Sequence, residues 1–425
     1  MPHLPFVPKK KNTESADEPK QQSFWFRNLL PLCVGAVCVL LVIGNMLKAA
    51  FYRPETVTVP QSFDCCATVA AVGDISLSAK QLRSFHTTAD SYDFGNVFRQ
   101  VAQSVSAADL ALGNLEGVVT NDSGKVTSNS FPPSFLTALS DCGFDLLQTA
   151  NSFSIQNGIS SIEMTKTALE EKHMIAAGTF RSAEEKSSTG GISIIEINGI
   201  RIAVAAFTKG LNNMHLPEGS EYAVNLLYRD YDTEYTSINE EGITTCMSNA
   251  KAAGADFIIA MVHWGSENGR EISDSQKQIA DLLIKNGADV ILGSHSHIVS
   301  QIERRTVQRP EGGWKDVYIA YSLGDFLTAS EQSRSQYGCI LNLRLEKDSR
   351  TGACAVTDIR YTPTYCTSPS KSLGTEQYAV IDSLNAIRLR EEHYVDAISE
   401  ALSEKLTQTL EALAEQTGTD YQVEK

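Results

Sequence analysis

Asp74, Glu116, Asn151, His263, His295 and His297 each stand at the far end of a short apolar run, in the segments AVGDIS, LGNLEG, QTANSF, MVHWGSE and ILGSHSH. Carboxylates and neutral imidazoles are good ligands for Zn, Mn or Fe, so this set reads as a site for a divalent transition metal. The strongest element is Gly293 to His297, where a glycine-opened turn carries two histidines two residues apart and can aim both rings at one or two ions. Asp74 follows an apolar run and a glycine, a place from which a carboxylate can bridge two cations or anchor one. Glu116 is read as a ligand or a base. Glu267, four residues beyond His263, is placed to orient that imidazole, and with Glu116 it forms the pair of candidate catalytic carboxylates.

Each of these residues has a plainer reading. Asp74 can cap a helix from Leu77 onward, Asn151 can close an Asx turn, and His263 can be a satisfied core histidine beside the run Phe257 to Val262. Glutamate is a poor N-cap, which tilts Glu116 toward chemistry. Convergence favours a site: in open α/β sheets ligands bind at the carboxyl ends of strands, and these residues follow five separate strand-like runs.

Those five runs are Ala67 to Val72, Asp109 to Gly113, Asp145 to Thr149, Asp256 to Val262 and Asp289 to Leu292, and a sixth strand-like run is Val317 to Ser322. They alternate with amphipathic stretches, the pattern of βα units around a largely parallel sheet. Ser160 with Glu163 reads as a capping box, and Gly143, Gly254 and Gly287 as helix-closing glycines. Asn198-Gly199 predicts a hairpin between 192–197 and 201–207. Gly338 to Leu345 and Ala353 to Tyr361 add strands. Val380, Ile381, Leu384 and Ile387 mark a helical stripe in a charge-laced segment from Glu376 to about Gln416.

A net charge of -15 over 425 residues, without a basic stripe in the folded region, excludes a nucleic-acid partner. Leu29 to Leu47 is nineteen residues without a charge, long enough to cross a ~30 Å hydrocarbon layer. The rival reading, a cleaved signal peptide, has only a poor cleavage site around Ala49. Lys9, Lys10, Lys11, Lys20 and Arg27 precede the run, which puts the amino terminus in the cytoplasm and the main domain outside the cell membrane. The expected organisation is a disordered tail over 1–28, a transmembrane helix over 29–50, a linker over 51–66, an α/β domain over 67–366 and a helical extension over 367–425. Seven cysteines beyond the run, irregularly spaced, read as free thiols.

Together the motifs GDISLS, NLEG, AAGTFRSAEE, HWGSE, GADVILGSHSHIVSQIE and YSLGDF, in this order over about Val69 to Phe326, resemble the CapA family of capsule and poly-γ-glutamate synthesis proteins. The resemblance implies a four-layer metallophosphatase-like α/β sandwich, attachment to the membrane, an anionic polymer or phosphoester as substrate, and other capsule-synthesis membrane subunits as partners. The chain departs from the family at ANSFSIQNG. Where the family reads A-N-N-H-x-x-D-x-G, this chain has Ser152, Phe153 and Gln156. In related phosphoesterases that second Asn binds metal and the His protonates the leaving group, and Phe153 does neither. Two functions are therefore expected to compete: a metal-dependent hydrolase, and a non-catalytic membrane-anchored subunit that holds or passes the polymer. A third, an external module sensing a small anion, fits the same residues.

Overall fold

The computed structural model describes residues 40, 43, 65–88, 91–120, 128–308, 312–332, 334–392, 398–418 and 422–423. The chain divides into two units, Met1–Gln61 and Ser62–Lys425. In the first, Leu40 and Ile43 are helical and exposed. The rest of the expected tail and span lies outside the described residues, as does the linker up to position 64. No helix among the described residues is long and apolar enough to cross a membrane. The second unit carries all the candidate ligands.

Strands β1 (Cys65–Ile75), β2 (Leu110–Leu115), β3 (Leu146–Gln148) and β4 (Ile175–Ala177) lie parallel, side by side. The expected hairpin follows: β5 (Ser193–Ile197) turns through Asn198 and Gly199, both at positive φ, into β6 (Ile200–Thr208). A second parallel set continues from β6 through β7 (Phe257–His263) and β8 (Val290–Ser294), with β9 (Ile302–Gln308) and β10 (Trp314–Ala320) completing it in the order β9-β10-β8-β7-β6-β5. The chain then returns. β11 (Asp325–Leu327) lies parallel to the end of β1, while β12 (Tyr337–Lys347), β13 (Cys354–Cys366) and β14 (Val380–Asp382) extend the first sheet antiparallel, giving β14-β13-β12-β1-β2-β3-β4.

The runs are thus strands of two mixed sheets, not of one largely parallel sheet. Alternation within each strand explains why. Ala67, Val69 and Ala71 of β1 pack with Ile202, Val204, Ile259 and Met261 in a cluster between the sheets. The intervening Ala70 and Val72 face outward onto helices 79–85 and 133–142 through Leu82, Phe85, Phe135 and Leu139. On the far side, Ala203, Ala205, Ile258 and Val262 meet Ile243, Met247, Ile279 and Leu283 of helices 240–252 and 274–285. The order is helix, sheet, sheet, helix. Strands buried on both faces read as unbroken apolar runs, and each fully buried Ile or Leu contributes about 1.5–3 kcal/mol.

Local details differ from the sequence reading at two places. Ser160 and Glu163 form no capping box: Ile159 is already helical at φ -59 and ψ -32, Ser161 Oγ donates back to the Gly158 carbonyl, and Glu163 pairs with Arg181 at 3.0 Å. Val380 and Ile381 are not part of a helical stripe but of β14, because they hydrogen-bond alongside Cys366 and Tyr365. The helix starts only at Ser383, where the Asp382 side chain accepts from Asn385 N–H. All seven cysteines of this unit are free, five of them buried.

Candidate metal centre

The two sheets bring their carboxyl ends to one rim, and close backbone approach holds them there. A methyl group on Gly73 would come within 1.8 Å of the Gly324 carbonyl oxygen, and one on Gly293 within 2.1 Å of the Tyr321 carbonyl oxygen, so both positions require glycine. The first approach lets Asp74 N–H donate to Gly324 O at 2.9 Å and sets Asp74 beside Asp325. The second seats the 293–297 turn over β10.

Asp74 is fully buried and is not a helix cap; the following helix, 79–85, is capped by a reciprocal pair, Ser78 with Gln81. Its Oδ1 accepts from Asn114 Nδ2 at 2.6 Å and its Oδ2 from the His295 N–H at 2.9 Å, which ties the first sheet to the second. Burial drives this carboxyl up to about 6, against the opposing charge of His297. Glu116 is also buried and is held well above the usual carboxylate range, by burial first and then by the Asp74 charge.

His263 is buried to 0% exposure, with a partner on each nitrogen. Nδ1 shares a hydrogen bond of 3.0 Å with Ser294 Oγ, and Nε2 one of 3.0 Å with Ser152 Oγ, with Glu116 Oε1 at 3.5 Å. His295 and His297 both adopt positive φ, 92° and 60°, a conformation that costs a non-glycine residue about 1–3 kcal/mol and clusters at functional sites. Their rings end in opposite environments. Burial pushes His263 well below and His295 down to about 3, aided by the neighbouring positive charges. Burial also pushes His297 down, but a 2.7 Å hydrogen bond to Asp325 Oδ1 and the charges of Asp325, Glu116 and Asp74 reverse this and raise it to about 11.

Two groups result: Glu116, His263 and His295, and Asp74, His297 and Asp325. In each, the ligand atoms lie within 4.8 Å of one another. The residues fit a divalent cation on a direct observation: His295 Nδ1 is buried with no hydrogen-bond partner, a lone pair left for a ligand.

Asn151 adopts the Asx turn, its Oδ1 accepting from Phe153 N–H at 3.0 Å while its Nδ2 donates to Asn114 Oδ1 and Leu115 O. Glu267 does not orient His263. It lies exposed at the mouth of a cavity of about 300 Å³ that also reaches Ser152, Lys209 and His295. Orientation falls instead to Ser294 and Asn114, the latter 3.3 Å from His263 Nδ1. Sequence reasoning misses Asp325 and Ser294. Asp325 had a usable signal: it follows the run Val317 to Ser322 as the other candidates follow theirs, in the motif whose family form, Y-S-L-G-N-F, has an uncharged Asn at this place.

A two-sheet α/β sandwich with carboxylates and imidazoles gathered at adjoining strand ends defines a class of protein with two groups of side chains that could hold a metal ion. Within it the chain belongs to the family described as bacterial capsule synthesis protein PGA_cap, whose family model matches residues 68–330. It is 25% identical over 333 residues to “PGA biosynthesis protein CapA” of Bacillus subtilis, covering 76% of this chain and 80% of that protein. It is 23% identical over 302 residues to “Capsule biosynthesis protein CapA” of Bacillus anthracis, covering 69% and 66%. Among solved structures, a novel phosphatase from Mycoplasma pneumoniae aligns at TM-score 0.40 and 12% identity, covering 70% of this chain and 93% of its own. A hypothetical protein from Thermus thermophilus aligns at TM-score 0.40 and 13% identity, covering 70% and 98%.

Proposed function

We propose that this protein is a membrane-anchored, extracellular member of its family that acts on an anionic cell-surface polymer, poly-γ-glutamate or a related capsule component, through a metallophosphatase-like metal-dependent hydrolytic site. The observation that carries the reading is the pairing of two ligand groups at one rim, the first holding the orphaned, buried Nδ1 of His295, a residue that also lines the cavity. Asp74, Glu116, His263, His295, His297 and Asp325 would hold the metal, zinc, manganese or iron, with Asn151 fixing Asn114 behind them and keeping one oxygen lone pair unspent. A metal bound there supplies Lewis-acid polarisation of the scissile group and activation of water.

The chain's own residues do the rest. Burial keeps His263 and His295 neutral, so their lone pairs are not lost to protons near neutral pH. Burial lets Glu116 retain a proton more readily than an ordinary glutamate, and that proton would have to leave for the carboxylate to hold a metal. Glu267 stands exposed at the mouth of the cavity, the second of the two candidate catalytic carboxylates. The apolar run over 29–47, in which Leu40 and Ile43 are helical and exposed, supports anchoring.

A second reading, a non-catalytic subunit that holds or hands on the polymer to other capsule-synthesis subunits, is favoured by one feature. Ser152 hydrogen-bonds His263 Nε2 where the family has an Asn that binds metal in related phosphoesterases, and the neighbouring Phe153 has no proton to donate. Turnover of a nitrophenyl phosphodiester and of the γ-linked polymer by the full-length protein, with and without added manganese, decides between them. Manganese-dependent turnover is expected; metal binding without turnover of either substrate leaves the subunit reading.

A further inference from the structure

Lys209 lies one residue beyond β6, where Thr208 pairs with His263 and Lys209 N–H donates to the His263 carbonyl at 2.8 Å. Its backbone is therefore set by the strand that carries a candidate ligand. The ammonium donates to Gly265 O at 2.7 Å and sits over the Tyr235 ring, 4.5 Å from the centroid. Among the described residues it has no carboxylate in ion-pairing contact, although it is more than half withdrawn from solvent. A cation in that position keeps donors for a ligand.

The space it faces is the cavity of about 300 Å³ that opens onto His295 and Ser152. Asn212 and Asn213 line it with side chains that make no hydrogen bond among the described residues. Asn212, Asn213 and Tyr235 all hold positive φ, at 49°, 60° and 53°, a conformation that Asn adopts readily and Tyr only at a cost. Glu267 on the same wall opposes any anion, a doubly charged one about twice as strongly as a singly charged one.

We infer that Lys209, with Asn212 and Asn213, forms a carboxylate-binding subsite that seats an anionic group of the substrate beside the bond presented to the Glu116, His263 and His295 group. This rests on the reading of the site as one for an anionic polymer and names the feature that is recognised. In a γ-linked glutamate chain every residue keeps a free α-carboxylate next to its amide, so one carboxylate at Lys209 fixes the register of the neighbouring linkage. Lys209 is a specificity residue here; the reacting atoms are met by the ligand groups.

The test measures the affinity of the full-length protein in detergent for a short γ-linked glutamate oligomer and for the same oligomer with its α-carboxylates converted to carboxamides. The wild type should prefer the carboxylate form. Lys209→Met should reduce that preference by about tenfold or more, the worth of a charge-assisted hydrogen bond, and Lys209→Arg should keep most of it. Metal content and melting temperature are read on the same samples. A wild type without preference, or Lys209→Met with its preference intact, overturns the subsite. Equal loss for both oligomers makes Lys209 merely structural and overturns it as well. A Lys209-dependent preference in protein that takes up no metal upholds the subsite and removes the hydrolase reading; metal-loaded protein with no such preference overturns the subsite and leaves the hydrolase reading to the turnover assay.

Discussion

The two ligand groups share a rim and almost touch through Asp74, yet they are charged in opposite ways. In the first, His263 and His295 are stripped of solvent and stay neutral, with Glu116 beside them and one imidazole nitrogen unpartnered. In the second, His297 is already a cation, held between Asp325 at 2.7 Å and Asp74 at 3.7 Å. The first group awaits a positive charge. The second has supplied its own, and a metal ion entering it must displace a proton. Two histidines separated by one residue thus meet different surroundings, because the turn at 293–297 sets the His295 ring 4.5 Å from that of His263 and brings His297 Nδ1 to Asp325 of β11.

The largest effect should come from removing one ligand from each group. His295→Ala with His297→Ala is expected to leave the purified protein without bound transition metal, read by elemental analysis, with a lowered melting temperature because the buried Asp325 and Asp74 lose their cationic partner. Stoichiometric metal in that variant would refute both assignments. His297→Ala alone should spare the ion of the first group, which tests whether the groups are separable.

The proton on His297 gives the next contrast. Its pKa is raised from 6.5 to about 11, so in this window metal binding to the second group must release the proton. Zinc affinity of that group should rise by about tenfold per pH unit across the window, whereas the first group, with its histidines already neutral, should show no histidine-linked slope and release only the proton that burial keeps on Glu116. The sign for stability is the reverse. The metal-free fold gains fully from the His297 proton below pH 6.5 and loses that gain as pH climbs through about 11. Competition with a chelator at several pH values, and melting curves of chelator-treated protein, measure both.

Catalysis probes the comparison from the other side. Ser152→Asn with Phe153→His places an amide next to His263 Nε2 and an imidazole beside it, and phosphodiester turnover should rise about 10- to 100-fold from the restored acid. Brisk turnover by the wild type would mean that another group already supplies the proton. A restored variant that binds metal and stays inert would favour the polymer-handling subunit. The smallest expected change is Ser294→Ala. It frees His263 Nδ1 from its 3.0 Å partner, and metal affinity of the first group alone should fall by about tenfold.

Much of this site could be read in the chain before folding. The strands carrying Asp74, Glu116, His263 and the 295–297 pair are buried on both faces, so they stand out as apolar runs, and a polar residue at the end of such a run is conspicuous. The Asn198-Gly199 turn is equally local, since two consecutive positive φ angles demand those residue types. The assignment of strands to two sheets was not legible, because inward and outward positions are apolar alike and only long-range packing distinguishes them. Val380 and Ile381 read as a helical stripe until β13 offered them an edge. Glu267, close to His263 in sequence, is directed away from it by the tight turn at Gly265, whereas Asp325 reaches His297 from 28 residues away. Which residues could bind an ion is a property of side-chain chemistry and is written locally; which of them share one, and which is already neutralised by a proton, depends on distances and burial that exist only once the two sheets have closed.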